Sequence, residues 1–274
     1  MALEGNKTIV ITGSTSGIGK AIAFEFGRQG WNVVINGRRQ EAIDETVETL
    51  EQHGIKAIGI RADVSKEEEA KHLIENAVKH FGRIDCLVNN AGISMRALFE
   101  DAGPDIIKKI MDINFYGTVY CTYFALPHLK KTKGTIVGIS SIAGYVGLPA
   151  RTGYSASKFA MNGFLESLRI ELIPTGVNVV IVSPGFTATA IRYRALTEKG
   201  TAQETTPIDE KKADKPENVA KAVYRAVVKR KREVILTTEG KLTVLFKKCV
   251  PSILEKLVFK RFANEPDSPL KKYM

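Results

Sequence analysis

Short runs rich in β-branched residues, at 8–12, 32–36, 57–61, 86–88, 135–139 and 178–182, alternate with longer stretches of helical periodicity such as 19–29, 41–53 and 66–81. Most of the short runs are continuously apolar, so both faces of each strand must be covered. Parallel sheets flanked by helices bury strands in that way. Alternating β and α segments, joined by right-handed crossovers, predict a doubly wound parallel sheet. A seventh strand is expected at 233–237, after a helical stretch at 217–231. No repeat, low-complexity run or linker interrupts the series. One domain is expected over 1–240, with an extension at 241–274.

A hydrophobic content of 44% in 274 residues excludes a disordered chain. Cys86, Cys121 and Cys249 are odd in number and widely spaced. They fit neither a disulfide framework nor a zinc knuckle, and they point to a reducing, cytoplasmic setting. The opening MALEGNK carries Glu4 and no apolar segment, so no secretory signal is expected there. The uncharged run 172–191 is long enough to span a bilayer but contains Pro174, Gly176, Asn178, Pro184 and Gly185. It reads as a turn, a buried strand and a loop. His53, His72, His80 and His128 have no ligand-like neighbours, and no metal site is expected. Trp31 is assigned to the core, and Ser65 to the cap of the helix opened by Lys66-Glu67-Glu68-Glu69.

Three local patterns carry chemistry. Ile9-Val10-Ile11 runs into Thr12-Gly13-Ser14-Thr15-Ser16-Gly17-Ile18-Gly19, which opens a helix. Glycines between a first strand and a first helix let a pyrophosphate approach backbone N–H groups at the helix N-terminus. The second strand ends in Arg38-Arg39 and meets no acidic residue before Glu41. An arginine there suits a 2′-phosphate, so NADP(H) is preferred to NAD, with Arg38 ahead of Arg39. Tyr154 and Lys158 stand at i and i+4, on one face of a helix, where an ammonium can lower a phenol's pKa.

These pieces, with Asp63-Val64, Asn89-Asn90-Ala91-Gly92, Asn114, Ser140-Ser141 and Pro184-Gly185, occur in one order, Ser141 lying thirteen residues before Tyr154. In that order and spacing the chain resembles the short-chain dehydrogenase/reductases from about Lys7 to Thr238, in particular NADP(H)-preferring carbonyl reductases and hydroxysteroid-dehydrogenase-like members. The resemblance implies a single Rossmann-type domain with a seven-stranded parallel sheet and a C-terminal helical extension. It implies Tyr154 as general acid/base, Ser141 as the hydroxyl that holds the carbonyl oxygen, and Lys158 on the nicotinamide ribose. Asn114 would support a water-linked proton relay. Gly13, Ser14, Ser16, Gly17, Ile18 and Gly19 would cradle the pyrophosphate. Asp63 and Val64 would meet the adenine, and Asn90, Ala91 and Gly92 the adenosine ribose. Pro184, Gly185, Thr187 and Thr189 would lie at the nicotinamide.

Substrate contacts are assigned to Ser141, Ile142, Tyr154 and Phe186, within apolar walls that suit a steroid-, retinoid-, sphingoid- or acyl-like carbonyl compound or alcohol. The polar segment 192–215 is read as a lid. A 3-oxoacyl-thioester reductase shares every catalytic motif. A non-catalytic nucleotide-sensing protein is disfavoured by the intact Ser141, Tyr154, Lys158 and Asn114. A homodimer or homotetramer is expected.

The net charge of +10 is concentrated late in the chain: residues 219–274 hold 14 basic and 5 acidic side chains, the first 218 residues 26 and 25. Leu242, Leu245, Phe246, Cys249, Ile253, Leu254, Leu257 and Val258 follow near-helical spacing, with lysines opposite. Such a basic amphipathic segment either lies at a membrane surface or packs over the substrate mouth or a subunit contact. No aromatic residue interleaves Lys229-Arg230-Lys231-Arg232, which argues against specific nucleic-acid recognition.

Overall fold

The computed structural model describes residues 5–206 and 213–274. Seven strands, β1 (Thr8–Ile11), β2 (Asn32–Gly37), β3 (Ala57–Arg61), β4 (Cys86–Asn89), β5 (Thr135–Ile139), β6 (Asn178–Ser183) and β7 (Glu233–Ile235), form one sheet in the order β3-β2-β1-β4-β5-β6-β7. Every pairing is parallel. The chain therefore forms a single Rossmann-like α/β domain.

β1 shows why the strands read as unbroken apolar runs. Ile9 and Ile11 point to one face, Val10 to the other, and all three are fully buried. The first face packs on α1 (Gly17–Arg28), α2 (Gln40–Gln52) and α7 (Pro216–Val228) through Ile22, Phe26, Ile43, Leu50 and Val223. The second packs on α3 (Glu67–Phe81), α5 (Gly117–Thr132) and α6 (Thr152–Glu171) through Leu73, Leu129, Met161 and Leu165. α4 (Pro104–Met111) joins α5 through a π-helical turn, Asp112–Tyr116. That wide turn contains Asn114, and such turns collect at functional positions.

Two local expectations are corrected. Ser65 does not cap α3: its hydroxyl is taken by Asp63 Oδ1 at 2.7 Å, and Lys66 holds the cap position without a side-chain bond. Trp31 is only half-buried, and its indole meets the edge of Phe26 with centroids 5.1 Å apart.

The extension is two helices, α8 (Thr238–Cys249) and α9 (Pro251–Ala263), divided at Val250–Pro251, with Pro251 in the first turn of α9. An ion pair between Glu239 and Arg261 ties the start of α8 to the end of α9. Only part of the periodic apolar set is buried. Leu254 and Phe262 are buried, but Leu242, Leu245, Phe246, Ile253 and Leu257 are 41–59% exposed. Beyond α9 the chain returns to the domain. Glu265 meets Arg151 at 2.7 Å and Lys272 meets Glu100 at 2.5 Å. Among the described residues no helix is long and apolar enough to cross a membrane.

Phe26 is fully buried and packs edge-on against both Trp31 and Tyr224, tying α1 to α7. Phe26→Ala is expected to cost about 3–5 kcal/mol, read as a lowered midpoint of urea unfolding.

Candidate active site

Helices change sides of the sheet between β1 and β4, so the loops after these strands diverge and leave a crevice at their carboxyl ends. A cavity of about 340 Å³ lies there. Thr12 fixes its floor: its hydroxyl accepts the N–H groups of Asn90 (2.9 Å) and Ala91 (3.0 Å). The Asn90 amide donates in return to the carbonyls of Thr12 and Gly13, both at 2.9 Å. Gly13 has φ +60, and a Cβ there would stand 2.9 Å from Ala91 Cα. A Cβ on Gly19 would stand 2.6 Å from the Gly13 carbonyl oxygen. These two positions keep the turn tight enough for a phosphate to reach the start of α1, whose cap residue Ser16 makes no side-chain bond to the first turn.

Gly13, Ser16, Gly17 and Ile18 line this end of the cavity, as do Arg38, Asp63, Val64, Asn90, Ala91 and Gly92. Three expected cofactor residues do not. Ser14 is buried, its hydroxyl donating to the Ile11 carbonyl at 2.8 Å, so it braces the turn. Gly19 supplies close packing rather than lining. Arg39 is the exposed cap residue of α2 and stands outside the cavity, because successive residues of extended chain point to opposite sides. Asn36, overlooked in the sequence, lines the cavity and binds three segments together: Oδ1 accepts Gly13 N–H, and Nδ2 donates to the Ile60 and Ala62 carbonyls.

Ser141, Tyr154 and Lys158 line the same cavity, from the end of β5 and the first turns of α6. Lys158 Nζ donates to the Ile139 carbonyl at 2.8 Å and lies 5.8 Å from the Tyr154 ring centroid. Burial brings the lysine down to about 8 and pushes the Tyr154 phenol up, with the Ser141 hydroxyl pulling the other way. Burial thus sets the direction of the phenol, which stands above its ordinary value rather than below it as the sequence spacing led one to expect. Asn114 does not line the cavity. Its Oδ1 accepts Ile93 N–H at 2.8 Å, and its Nδ2 donates to the Ile93 carbonyl and to Ser157 Oγ, both at 2.9 Å. It thus pins the loop after β4 to α6.

Pro184, Gly185, Phe186, Thr187 and Thr189 line the cavity beyond β6. Ile142 does not: it packs toward Gly240 of α8, where a Cβ would come within 2.6 Å of its Cδ1. Of the segment read as a lid, Arg192, Arg194, Ala195 and Gln203 line the mouth, and Leu196 bridges to Met95. Residues 207–212 of that segment lie outside the described residues. Arg96 and Arg151 also line the cavity, and no sequence motif marks them. Their partner, Glu265, is 114 residues from Arg151, too far for local spacing to show.

Comparison with known proteins agrees with this architecture. The short chain dehydrogenase family model matches residues 7–200. An 11-beta-hydroxysteroid dehydrogenase-like 2 of Arabidopsis thaliana is 37% identical over 254 residues, covering 92% of this chain and 80% of that protein. The 11-beta-hydroxysteroid dehydrogenase-like 3 of the same plant is 43% identical over 195 residues, covering 70% of this chain and 63% of that protein. Among solved structures, an alcohol dehydrogenase from Thermococcus sibiricus complexed with 5-hydroxy-NADP superposes with a TM-score of 0.72 at 25% identity, over 85% of this chain and 96% of that one. A short chain dehydrogenase/reductase from Burkholderia phymatum in complex with NAD gives a TM-score of 0.80 at 24% identity, over 92% and 96%. The chain belongs to the short-chain dehydrogenase/reductase family of oxidoreductases, as a hydroxysteroid-dehydrogenase-like member.

Proposed function

We propose that this oxidoreductase uses NADP(H) to interconvert a ketone or aldehyde and an alcohol on a lipophilic substrate, with Tyr154 as general acid/base. The observation that carries the reading is one cavity shared by Ser141, Tyr154 and Lys158 with the Gly13–Ile18 turn and Arg38. Gly13, Ser16, Gly17 and Ile18 would hold the pyrophosphate, Arg38 the 2′-phosphate, and Asp63 and Val64 the adenine end. When bound, the nicotinamide supplies or accepts the hydride.

The residues do the rest. The Tyr154 phenol, raised by burial, keeps its proton at neutral pH until a carbonyl oxygen gathers charge. The Ser141 hydroxyl donates to that oxygen and orients it. Lys158, at about 8, is largely an ammonium at pH 7 and favours the tyrosinate left after proton transfer. Asn114 positions the loop that closes over this set. The complete Ser–Tyr–Lys arrangement favours catalysis over a purely sensing role.

We also infer a homo-oligomer and a peripheral membrane contact. Exposed Tyr123 and Phe159, on α5 and α6, offer apolar surface for the first. For the second, residues 238–263 carry six basic and two acidic side chains beside the exposed Leu242, Leu245, Phe246, Ile253 and Leu257. A surface of that kind suits an anionic leaflet.

Tyr154→Phe is expected to lower turnover by about 10²–10⁴-fold with cofactor affinity nearly unchanged, measured by NADPH oxidation against a ketone panel and by fluorescence titration. Near-normal turnover would remove Tyr154 from the role. Arg38→Asp is expected to weaken NADPH far more than NADH, reversing the preference in KM. A wild-type preference for NADH would refute the assignment. In sedimentation with phosphatidylserine vesicles the protein is expected to pellet at low salt and to be released as salt rises, and a Leu245→Glu, Leu257→Glu variant to stay in solution.

A further inference from the structure

The substrate half of the cavity holds more positive charge than proton transfer to a carbonyl requires. Arg96, Arg151, Arg192 and Arg194 line it, whereas the one acidic residue among the described lining residues, Asp63, follows β3 at the cofactor end. Arg192 is engaged by Thr187 and Thr206, and its Nη1 donates to the Thr187 carbonyl at 2.7 Å. Its guanidinium is thereby committed to bracing the loop after β6.

Arg96 and Arg151 differ from it. Their side chains are 8% and 12% exposed, and they share one carboxylate, Glu265, itself 10% exposed. Arg151 Nη2 donates to both carboxylate oxygens, at 2.7 and 3.0 Å. Arg96 Nη2 donates to the Pro266 carbonyl at 2.5 Å. Arg96 Nε, 3.4 Å from Glu265 Oε2, finds no hydrogen-bond acceptor among the described residues. Two buried guanidinium groups thus face one carboxylate, with one positive charge and one N–H left over in a cavity wall. Burying such a charge is costly unless something compensates it. Burial and the nearness of Arg96 both draw the Arg151 pKa down, as expected for crowded cations.

Around this pair the wall is apolar, with Met95, Leu148 and Phe186. Arg151 caps α6 one turn before Tyr154, so the surplus charge belongs to the same cleft as the phenol. We propose that the substrate is an amphipathic carbonyl compound ending in an anionic group, a carboxylate or a phosphate ester, which seats on Arg96 and Arg151. This rests on the reading of the cleft as the site of carbonyl reduction. Glu265 is then a built-in competitor that keeps the two guanidinium groups ordered when the site is free. Exposed Arg194 at the mouth adds to the field that draws an anion in.

Isothermal titration calorimetry of the full-length protein, with and without saturating NADP⁺, compares laurate, dodecyl phosphate and dodecanol. At low salt at least one anion is expected to bind about tenfold more tightly than the alcohol, because a charge-assisted contact is added. Salt should erode that margin. Whichever anion is preferred separates carboxylate from phosphate ester. Arg96→Gln is expected to bring the anion to the alcohol's affinity and leave dodecanol unchanged. Glu265→Gln, which removes the competitor, is expected to tighten anion binding, a sign that loss of folding cannot produce. Equal affinities in the wild type, binding of no amphiphile, or an anion margin that survives Arg96→Gln would each overturn the proposal. An anion margin without NADPH oxidation on any ketone would instead fault the catalytic reading and leave the anion site standing.

Discussion

The Thr12 hydroxyl holds together two loops that topology drives apart. β1 and β4 are neighbours in the sheet, yet their connections leave to opposite faces, and a gap opens between them. By accepting N–H groups from Asn90 and Ala91, Thr12 sets the width of that gap, and the Asn90 amide closes the circuit through the Thr12 and Gly13 carbonyls. Four hydrogen bonds near 3 Å in a mostly buried setting are costly to break, because each would leave a polar group unpaired. The glycines, the start of α1 and the loop pinned by Asn114 all take their positions from this junction.

The inner strands of the sheet were legible because they are buried on both faces and so write themselves as apolar runs. That Ser141, Tyr154 and Lys158 share one cavity was legible because they come from consecutive elements and fall at fixed spacings. What remained hidden depended on the direction of single residues or on distant partners. Arg38 enters the cavity and Arg39 does not, a one-residue distinction that composition cannot make. Ile142 turns toward α8, whose Gly240 leaves room for its side chain, and no local pattern announces that neighbour. Arg96 and Arg151 have the look of ordinary surface charges in the sequence, because Glu265, which lies between them, comes only beyond α9.

Burial acts on Tyr154 and Lys158 in one direction chemically and in opposite directions on the pH scale. It favours the neutral phenol and the neutral amine, pushing Tyr154 up and Lys158 down. The two values cross and move apart, so in the resting site the phenol holds its proton more tightly than the lysine does. Lys158 keeps its place through the Ile139 carbonyl, so this tuning rests on the end of β5 as much as on α6.

The way the chain returns after α9 bears on the order in which the site is assembled. Everything that lines the cofactor end has left the ribosome once Thr189 has emerged and the first six strands can pair. The outer wall of the substrate half waits for Phe262, Glu265 and Lys272, whose partners Arg151, Arg96 and Glu100 were made more than a hundred residues earlier. During synthesis the turn after β1 and the loops after β4 and β6 therefore precede the residues that close the outer wall of the cavity.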